Sequence, residues 1–314
     1  MQVVVTGSLA FDQIMIFPEA FVDHIMPDKI HSISVSFLVD HLHKNYGGVA
    51  GNISYNLGLL GKKPICFATA GRDAEDYKVF LEKNGVNVDH LKIDLDDYTG
   101  SFVVITDKSD SQIAGFYPGA MRQDVMLKLM QIVDTPDEFN DMFLVVAPTM
   151  PLAMNRFVED ARDHGVRYLY SPAQQIPRLS KENLIAGVEG AEIVIGNDYE
   201  VALIEEKTGM SRYDILRHVK ILITTLGKEG SRIETSDGQE IRIGTARTDT
   251  ILDPTGEGDA YIAGFLSGYL EGTDLERCGQ LAATTSVFAL EQYGTTGHTF
   301  SREIFDNRLK ENFG

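Results

Sequence analysis

The residues best suited to chemistry lie in one short stretch, residues 253–259, where two glycines alternate with acidic residues directly before an apolar helical pattern. A glycine turn that leads into a helix exposes free backbone N–H groups, and the helix dipole adds partial positive charge there. Such a helix start binds anions, and phosphates above all. An aspartate at an anion site is unusual unless it moves a proton. The stretch therefore predicts phosphoryl transfer with Asp259 as the base, and the alternative is an ordinary helix start with Asp259 as an N-cap or first-turn acid.

Other polar and glycine-rich loops follow predicted strands or lead into predicted helices. Asp12 comes just after the first strand, and a glycine-rich run at residues 47–52 enters a helix. Three further loops, each after a strand, occupy residues 172–175, 197–200 and 225–230. In open α/β sheets, ligands bind at the carboxyl ends of the strands. We therefore expect these loops to meet residues 253–259 at one edge of a sheet.

The elements that must position these loops alternate regularly from residue 142 onward. Apolar runs predict strands at residues 142–147, 168–171, 193–196 and 220–225. Helical patterns between and after them occupy residues 151–164, 181–189, 198–208 and 213–219. Alternation of this kind is typical of a parallel sheet with helices on both faces. Earlier strands are predicted at residues 2–6 and 63–70, and a short edge strand at residues 242–248.

Two stretches break this rhythm because their strand patterns have no helix between them. The first contains predicted strands at residues 14–17 and 33–37, and the second at residues 101–106 and 112–117. A doubly wound sheet needs a helical crossover between parallel neighbours. We therefore expect these stretches to form a small sheet outside the core. Their aromatic and aliphatic side chains could cover a ligand or form a dimer contact.

The composition excludes several classes of partner. Hydrophobic residues make up 43% and charged residues 24% of 314 residues, which is typical of a soluble globular protein. The formal net charge of −18 disfavours binding to nucleic acid and to anionic membrane surfaces. Cys66 and Cys278 are far apart, and we expect reduced thiols in a cytoplasmic protein. The chain opens directly on a strand and has no apolar run of membrane-spanning length, so we expect neither a secretion signal nor a membrane span.

Taken together, four motifs resemble those of the ribokinase-like (PfkB) sugar and nucleoside kinases, and the similarity covers almost the whole chain. The motifs are Gly47-Gly48 with Asn52, Asn197-x-x-Glu200, Thr225-x-Gly227-x-x-Gly230 and Asp253-x-Thr255-Gly256-x-Gly258-Asp259. The resemblance implies a three-layer α/β/α fold with a doubly wound, mostly parallel sheet and a small β-sheet lid. It places the core at residues 1–12, 46–96 and 119–314 and the lid at residues 13–45 and 97–118.

The resemblance also assigns the catalytic roles. Asp259 would accept the proton of a substrate hydroxyl, and the backbone N–H groups of Gly256, Glu257 and Gly258 would form the anion hole. Glu257 stands where the family commonly has a small residue. Its backbone N–H is kept, so we expect the anion hole to be kept, and we expect the side chain to point to water rather than to reach Mg²⁺.

Further implied roles concern ATP and metal ions. The residues implied in contacting the nucleotide are Asn197, Thr225, Gly227, Gly230 and Thr255. Glu200, together with Asn197, would position Mg²⁺ through water, because Mg²⁺ gives up its waters reluctantly. In the family a potassium ion sits beside the anion hole, where Asp253 and Thr255 match its ligands. The alternative for Asp253 is that it only caps the turn.

The resemblance extends to the acceptor. The residues implied in binding the hydroxyls of a sugar or ribose are Asp12, Gly47, Gly48 and Asn52. Phe116, Met121 and Gln174 lie in segments that resemble the prokaryotic adenosine or nucleoside kinase branch, and a purine could stack on the aromatic side chains. The prediction is therefore an ATP-dependent kinase that phosphorylates a primary hydroxyl of a nucleoside, with adenosine first. For the aromatic side chains the alternative is a place in the lid core or in a dimer interface.

Two other functions stay open at this point. One is a sugar kinase of the ribokinase or fructokinase type. The other, from a different class, is a nucleotide-binding sensor without catalysis, which the presence of Asp259 and Glu200 disfavours. In each case the partner is a small molecule, and we expect no nucleic acid or membrane partner. A homodimer through the lid is a further expectation.

Overall fold

The computed structural model describes residues 1–109 and 111–314, and within them it contains fourteen strands and nine α-helices. The strands are β1 (Gln2–Thr6), β2 (Ala10–Ile16), β3 (His41–Gly47), β4 (Ile65–Cys66), β5 (Thr69–Gly71), β6 (Lys92–Asp94), β7 (Gly100–Thr106), β8 (Gln112–Tyr117), β9 (Met142–Val146), β10 (Arg167–Tyr170), β11 (Ile193–Asn197), β12 (Ile221–Thr225), β13 (Ser231–Thr235) and β14 (Glu240–Ile243). The helices are α1 (Val49–Leu59), α2 (Glu75–Lys83), α3 (Pro151–His164), α4 (Lys181–Gly190), α5 (Asp198–Thr208), α6 (Arg212–His218), α7 (Glu257–Tyr269), α8 (Leu275–Leu290) and α9 (Arg302–Phe313).

The largest sheet has eight strands in the order β14-β13-β12-β11-β10-β9-β1-β4. The six strands from β12 to β4 run parallel to one another, and β13 and β14 add an antiparallel edge. The strand order moves outward in both directions from the centre of the sheet, as it does in doubly wound folds. The predicted mostly parallel, doubly wound sheet is confirmed.

Alternate side chains of the central strands enter two different hydrophobic layers. Val3 and Val5 of β1 pack with α1, α2, α7 and α8, whereas Val4 packs on the opposite face with α3, α4, α5 and α6. Successive side chains of a strand point to opposite faces, so a strand buried on both sides is apolar throughout. Helices therefore cover both faces of the sheet, and the three-layer α/β/α architecture is confirmed.

A second, smaller sheet contains four strands in the order β3-β2-β7-β8. Strand β2 pairs with β3 in the antiparallel direction over seven residue pairs and with β7 in the parallel direction. The two stretches that lack a helix in the sequence thus join in one small sheet, as predicted. Its strands begin at Ala10 and end at Gly47, slightly outside the boundaries predicted for the lid. The exact division into core and lid domains stays a prediction.

The predicted strand at residues 33–37 is wrong. A 3-10 helix covers Pro27–Ser32, the chain then runs without regular structure, and the strand begins only at His41. Ile33 and Val35 are exposed, so the alternation of apolar and polar residues does not mark a buried face here. A strand needs a backbone partner as well as a side-chain pattern, and β2 takes its partner from residues 41–47.

Two other strand predictions need correction. The predicted strand at residues 63–70 is divided, because β4 joins the large sheet whereas β5 pairs with β6 in a separate two-stranded sheet. The apolar run indicates burial but does not tell which sheet each part joins. The edge strand predicted at residues 242–248 is Glu240–Ile243, and it pairs with β13, which the sequence did not predict.

Candidate active site

The carboxyl ends of the parallel strands open on one cavity of about 920 Å³. This volume is in the range of small-molecule binding sites. Residues at the ends of the parallel strands or shortly after them line it, namely Ser8, Pro148, Ala173, Asn197 and Thr225. The start of α7 forms another wall, and the small sheet contributes Asp12, Phe102 and Phe116. The loops that the sequence placed at one edge of the sheet therefore meet around a single cavity.

The start of α7 presents backbone N–H groups to this cavity. Gly256 is the N-cap residue and has a left-handed φ of 82°. The first helical hydrogen bond runs from the Ala260 N–H to the Gly256 carbonyl (3.0 Å), so the N–H groups of Gly258 and Asp259 have no partner within the helix. A Cβ atom on Gly256 would lie 2.9 Å from the Cβ of Thr295, so both the backbone angle and the space require glycine. This geometry suits an anion.

Asp259, in the first turn of α7, lies beside these N–H groups and lines the cavity. Burial is the main cause that raises the pKa of its carboxyl group to about 7; a hydrogen bond from the Asn52 side chain opposes this rise, and the negative charges of Glu200 and Asp12 contribute to it. That bond, from Nδ2 to Oδ2, is 2.8 Å long. No side-chain capping bond is recorded for this helix within the described residues. The carboxyl group therefore changes its protonation state near neutral pH, as a general base requires.

Asp12 lies opposite, on strand β2. Burial, with a smaller contribution from the negative charge of Asp253, raises the pKa of its carboxyl group to about 6. Gly47 makes room for this carboxyl group, because a Cβ there would lie 2.1 Å from an Asp12 carboxylate oxygen, and Gly48 makes room for the backbone, because a Cβ there would lie 2.6 Å from the Ala10 nitrogen. Gly48 lines the cavity, whereas Gly47 lies behind the wall and shapes it.

Asn52 is almost completely buried on α1 and still lines the cavity. Its Nδ2 donates to Asp259, but its Oδ1 has no hydrogen-bond partner among the described residues. A buried acceptor without a partner is costly, so such atoms usually serve a ligand or an ordered water. The unpaired oxygen therefore suits a donor such as a hydroxyl group.

Asn197 and Glu200 bond each other in a capping box at the start of α5. The Glu200 N–H donates to Asn197 Oδ1 (2.8 Å), and the Asn197 N–H donates to Glu200 Oε2 (2.9 Å). Burial raises the pKa of the Glu200 carboxyl group, and the bond from the Asn197 N–H opposes this. Both residues line the cavity. The cap uses one carboxylate oxygen of Glu200 and leaves Oε1 for a further partner.

The predicted nucleotide loop is only partly on the cavity wall. Thr225 and Gly227 line it, as does Thr255 at the other side. Gly230 does not, and it has a left-handed φ of 84° with its Cα packed so closely that a Cβ would lie 1.9 Å from the Ile243 carbonyl oxygen. Gly230 thus shapes the turn that leads into β13.

Asp253 also lies outside the lining of the cavity. Its Oδ1 accepts a hydrogen bond from the Thr255 N–H (2.9 Å) and its Oδ2 from the Gly294 N–H (3.0 Å). These contacts fix the turn before α7 to the loop at residues 294–297. They are the contacts expected of a residue that caps the turn, and the potassium role of Asp253 stays a prediction.

Several lining residues were not among the predicted site residues, and the most informative of them are Phe102, Gln175, Arg178 and Thr295. Gln174, which was predicted, lines the cavity but is exposed, whereas Gln175 is buried and its Oε1 has no partner among the described residues. Within the described part of the chain, Arg178 is the only lysine or arginine on the wall. Its position three residues after a strand-end loop was a sequence signal that could have revealed it.

The cavity wall is acidic. Arg178 is accompanied on the wall by five carboxylate side chains, which belong to Asp12, Asp198, Glu200, Glu257 and Asp259. Burial raises the pKa of Glu257, whose side chain shows no hydrogen bond or ion pair within the described residues. Residues 1–109 and 111–314 contain no group of three or more His, Cys, Asp or Glu side chains placed to hold a metal ion. A divalent ion at this site would therefore need ligands from water or from a phosphate.

Comparison with known proteins identifies the class of protein that this site belongs to. A family model described as the pfkB family carbohydrate kinase matches residues 8–300. The nucleoside kinase of Methanocaldococcus jannaschii is 30% identical over 269 residues, which cover 85% of this chain and 86% of that protein. A protein of Archaeoglobus fulgidus described as an uncharacterized sugar kinase is 41% identical over 252 residues, which cover 76% of this chain and 95% of that protein.

A solved structure shows the same fold. The nucleoside kinase of Burkholderia thailandensis, in complex with inosine, superposes with a TM-score of 0.86 at 32% sequence identity, and the match covers 99% of this chain and 98% of that chain. The chain belongs to the pfkB family of carbohydrate kinases. It is a phosphotransferase with an alcohol group as acceptor, acting on nucleosides or sugars with ATP as the phosphate donor. The predicted family and class of enzyme are confirmed.

Among the helices of the described residues, none is long and apolar enough to cross a membrane. Cys66 and Cys278 are both buried and unpaired with each other. The cytoplasmic location stays a prediction.

Proposed function

We propose that the protein is an ATP-dependent nucleoside kinase whose first acceptor is adenosine. The observation that carries the proposal is the placement of Asp259 and of the free N–H groups of α7 on one cavity that is large enough for a nucleoside and a nucleotide. A primary hydroxyl of the acceptor attacks the γ-phosphorus of ATP, and the bond between that phosphorus and the leaving oxygen of ADP breaks. Asp259 takes the hydroxyl proton.

The N–H groups of the first turn of α7 stabilise the charge on the transferred phosphoryl group. Gly256, Glu257 and Gly258 supply the backbone of this anion hole in the proposal, and the left-handed Gly256 directs the turn. Because the groups are held by the helix before the substrate arrives, they need little reorganisation during the reaction. Catalysis is then mostly positioning and electrostatics, as in other phosphoryl transfers.

The hydroxyls of the ribose are bound by Asp12 and Asn52. Asn52 offers its unpaired Oδ1, and Asp12 offers carboxylate oxygens across the cavity. Gly48 lets the sugar approach the backbone next to the end of β3, and Gly47 supports the sugar site by making room for the Asp12 carboxylate. A site that bonds hydroxyl groups discriminates strongly, because an acceptor without them leaves buried polar atoms unpaired.

Recognition of the base distinguishes a nucleoside kinase from a sugar kinase. Phe102, Phe116 and Met121 give an apolar surface on which a purine could stack. The unpaired Oε1 of Gln175 is a hydrogen-bond acceptor, which suits the amino group of adenine. Gln174 and Arg178 also line the cavity and are close to Gln175 in the sequence. The nucleoside kinases to which the chain is similar, one of them solved with inosine, support this choice.

Mg²⁺ fits the acidic wall. A triphosphate would be repelled by the five carboxylates unless a divalent cation accompanied it. Glu200, with Asn197 beside it, would hold the ion through water, and the ion would neutralise phosphate charge. The nucleotide itself would lie against Thr225, Gly227 and Thr255. A potassium ion near Asp253 and Thr255 is the less supported part of the proposal, because the Asp253 carboxylate already bonds two N–H groups.

The small sheet is proposed as a lid, with residues 13–45 and 97–118 moving over a core of residues 1–12, 46–96 and 119–314. Closure would exclude water from the cavity and so protect ATP from hydrolysis. The segment of the proposed lid between β2 and β3 carries exposed apolar side chains, among them Val22, Ile30 and Leu38, which support a homodimer through the lid.

A sugar kinase is the second candidate, favoured by the similarity to the Archaeoglobus fulgidus protein described as a sugar kinase. A panel of adenosine, inosine, ribose and fructose with labelled ATP tests both. We expect kcat/KM to be at least about 100-fold higher for adenosine than for either sugar. Better turnover of a free sugar than of any nucleoside would replace the nucleoside proposal, and a complete lack of turnover would favour a nucleotide-binding sensor.

The Gln175→Leu variant tests the base-recognition step within the same panel. Leucine keeps the size of the side chain and removes the acceptor. We expect kcat/KM for adenosine to fall about 10- to 100-fold, whereas turnover of any free sugar should stay within about threefold. Gln2→Leu is a matched control, because this exposed glutamine lies outside the lining of the cavity. An equal loss for sugar and nucleoside would show that Gln175 does not read the base.

A further inference from the structure

One short loop, residues 294–298, touches three separate parts of the proposed site. It follows α8 and contacts the small sheet, the turn before α7, and helix α1. Thr295, Thr296 and His298 are buried, so the loop is packed between these parts rather than lying on the surface. Apart from Thr295, its residues are not on the cavity wall.

The contacts to the small sheet end on one backbone atom. The hydroxyl groups of Thr295 and Thr296 both donate to the Tyr46 carbonyl oxygen, at 3.1 and 3.0 Å. Tyr46 is the last residue but one of β3. A carbonyl oxygen has two lone pairs and can accept both bonds. A Cβ on Gly294 would lie 2.7 Å from the Asn45 side chain, so Asn45 rests directly on the loop.

The contacts to the anion hole come from the same residues. The Gly294 N–H donates to Asp253 Oδ2 at 3.0 Å. The side chain of Thr295 packs on the Cα of Gly256, where a Cβ would lie only 2.9 Å away. The loop therefore contacts both ends of the turn whose N–H groups face the cavity.

The third contact is with the helix that carries Asn52. His298 bonds the Asn56 side chain at 2.7 Å, and the Tyr55 hydroxyl donates to the His298 carbonyl. Burial lowers the pKa of His298 to about 4, so the ring is neutral at physiological pH and its Nε2–H donates to Asn56 Oδ1. These bonds fix the far end of the loop to the core.

We propose that Thr295 and Thr296 are positioning residues that couple the position of the small sheet to the geometry of the anion hole. The loop is fixed to the core at His298, so a shift of β3 reaches the turn at Asp253 and Gly256 through the two threonine hydroxyls. Filling of the anion hole then favours the closed sheet, and the closed sheet favours the anion hole, since coupling between two sites is reciprocal. The inference rests on the proposed anion hole and lid.

The Thr295→Val/Thr296→Val variant tests the coupling. Valine keeps the branched shape, so the packing of residue 295 on Gly256 remains while both hydroxyl donors are lost. The measurement is amide hydrogen exchange of β3 with and without the Mg²⁺ complex of a non-hydrolysable ATP analogue, whose γ-phosphoryl group can fill the anion hole. We expect this analogue to slow the exchange about tenfold in the unaltered protein and less than about twofold in the variant. The Thr295→Ser/Thr296→Ser variant keeps the hydroxyls and should restore the full effect.

A matched control removes two other buried hydroxyls. Thr208 and Thr284 each donate to a carbonyl within their own helix, at 2.6 and 2.9 Å, and among residues 1–109 and 111–314 neither hydroxyl bonds the small sheet. Thr208→Val/Thr284→Val should keep the full protection of β3 by the ATP analogue. Full protection in Thr295→Val/Thr296→Val, or an equal loss in the control, would overturn the proposal. If the double valine variant does not fold, the single variant Thr296→Val is measured instead. We expect it to show intermediate protection of the β3 amides, and full protection would contradict the inference.

A kinetic readout separates positioning from simple loss of stability. In Thr295→Val/Thr296→Val we expect kcat to fall about tenfold while KM for ATP changes less than about threefold. The exchange experiment contains no acceptor, so a wrong choice of acceptor cannot affect it. Failure of the proposed function would appear separately, as a lack of nucleoside turnover by the unaltered protein.

Discussion

At the scale of single residues, Asp259 combines burial with an anion-binding helix start. Its neighbours act in opposite directions: Asn52 favours the charged carboxylate, whereas burial and the charges of Glu200 and Asp12 favour the neutral acid. A group balanced in this way titrates near neutral pH and can both accept and release a proton. Because the pKa of Asp259 is raised in the folded protein, its charged carboxylate lowers the free energy of unfolding at high pH, and this effect can be measured.

Replacement of Asp259 by asparagine should remove activity and increase stability. We expect kcat to fall by about 10²- to 10⁴-fold, because the proton acceptor is lost, with ADP affinity nearly unchanged. A carboxyl group whose folded pKa lies above its unfolded pKa destabilises the folded state at high pH. Asp259→Asn should therefore raise the free energy of unfolding at pH 8 by about 1–3 kcal/mol, measured by urea titration.

The control for this variant is Asp274→Asn. Asp274 is the N-cap of α8, and asparagine caps a helix as well as aspartate does, so both activity and stability should stay nearly unchanged. Near-normal turnover by Asp259→Asn would remove Asp259 from its proposed role as the base. A loss of stability instead of a gain would contradict the raised pKa.

The pH dependence of kcat/KM for the acceptor follows from the same pKa. The base must be deprotonated, so activity should be present above the pKa of about 7 and fall about tenfold for each pH unit below it. Asn52→Ala removes a bond to the charged carboxylate and should move this acidic limb to higher pH. The profile is measured between pH 5.5 and 9, a range set by the pKa of about 7. A flat profile, or a limb that Asn52→Ala moves to lower pH, would contradict the assignment.

At the scale of elements, helix starts and strand ends determine which groups face the cavity. The capping box of Asn197 and Glu200 gives both residues a structural role beside any role with a metal. The start of α7 is different, because a glycine in the left-handed conformation replaces a capping side chain and leaves the N–H groups of Gly258 and Asp259 without a partner in the helix, whereas the Glu257 N–H donates to the Pro254 carbonyl at 3.4 Å. Among the residues described, the turn at Gly256 therefore lacks the stabilisation of a side-chain cap, and the N–H groups that this leaves without partners form an anion site.

Gly256→Ala should damage both stability and catalysis. Alanine is strained at a φ of 82°, and its Cβ would lie 2.9 Å from the Cβ of Thr295. We expect the free energy of unfolding to fall by about 2–3 kcal/mol and kcat by about 10- to 100-fold, because the N–H groups of the turn shift. Denaturant titration and steady-state kinetics measure the two effects.

Gly272→Ala is the matched control for backbone strain alone. Gly272 has a similar φ of 79°, and no atom lies within 4 Å of the position that a Cβ would take. It should lose only about 1 kcal/mol and keep its kcat. If Gly256→Ala behaved like Gly272→Ala, the close contact with Thr295 would have no role in the anion hole.

At the scale of the whole molecule, the large sheet supplies a rigid edge and the small sheet supplies a second wall. Six parallel strands, buried on both faces, carry the loops that meet at the cavity. The small sheet is not covered in the same way, since all six residues of β8 are exposed. An exposed apolar sheet on a protein of this size commonly marks an interface.

A homodimer through the proposed lid is testable by sedimentation equilibrium. Val22 and Leu38, in the lid segment between β2 and β3, are 76% and 85% exposed. We expect the unaltered protein to have twice the mass of one chain, and Val22→Glu/Leu38→Glu to have the mass of one chain, because buried unpaired charges oppose association. Leu152→Glu, an exposed leucine on α3, is the control and should stay dimeric. A monomeric unaltered protein would contradict the prediction.

The sequence alone determined much of this protein. The alternation of strands and helices after residue 142 predicted the parallel sheet, since the local patterns that mark burial are the same in sequence and structure. The positions of Asp12, Asn197 and Asp259 after strands or at helix starts placed them at one edge, because parallel strands all end on the same side. Most predicted site residues do line the cavity, and Gly47, Gly230 and Asp253 lie just behind it.

Only the tertiary structure decided which side chains face one another. No local pattern shows that Asn52 bonds Asp259 across 207 positions of the chain, or that the 294–298 loop meets β3. The same reason explains the wrong strand at residues 33–37: alternation is a local property, whereas a strand forms only where a partner strand is available. The tertiary structure also decides that Gln175 is buried whereas Gln174 is exposed, because burial depends on neighbours that come from distant parts of the chain.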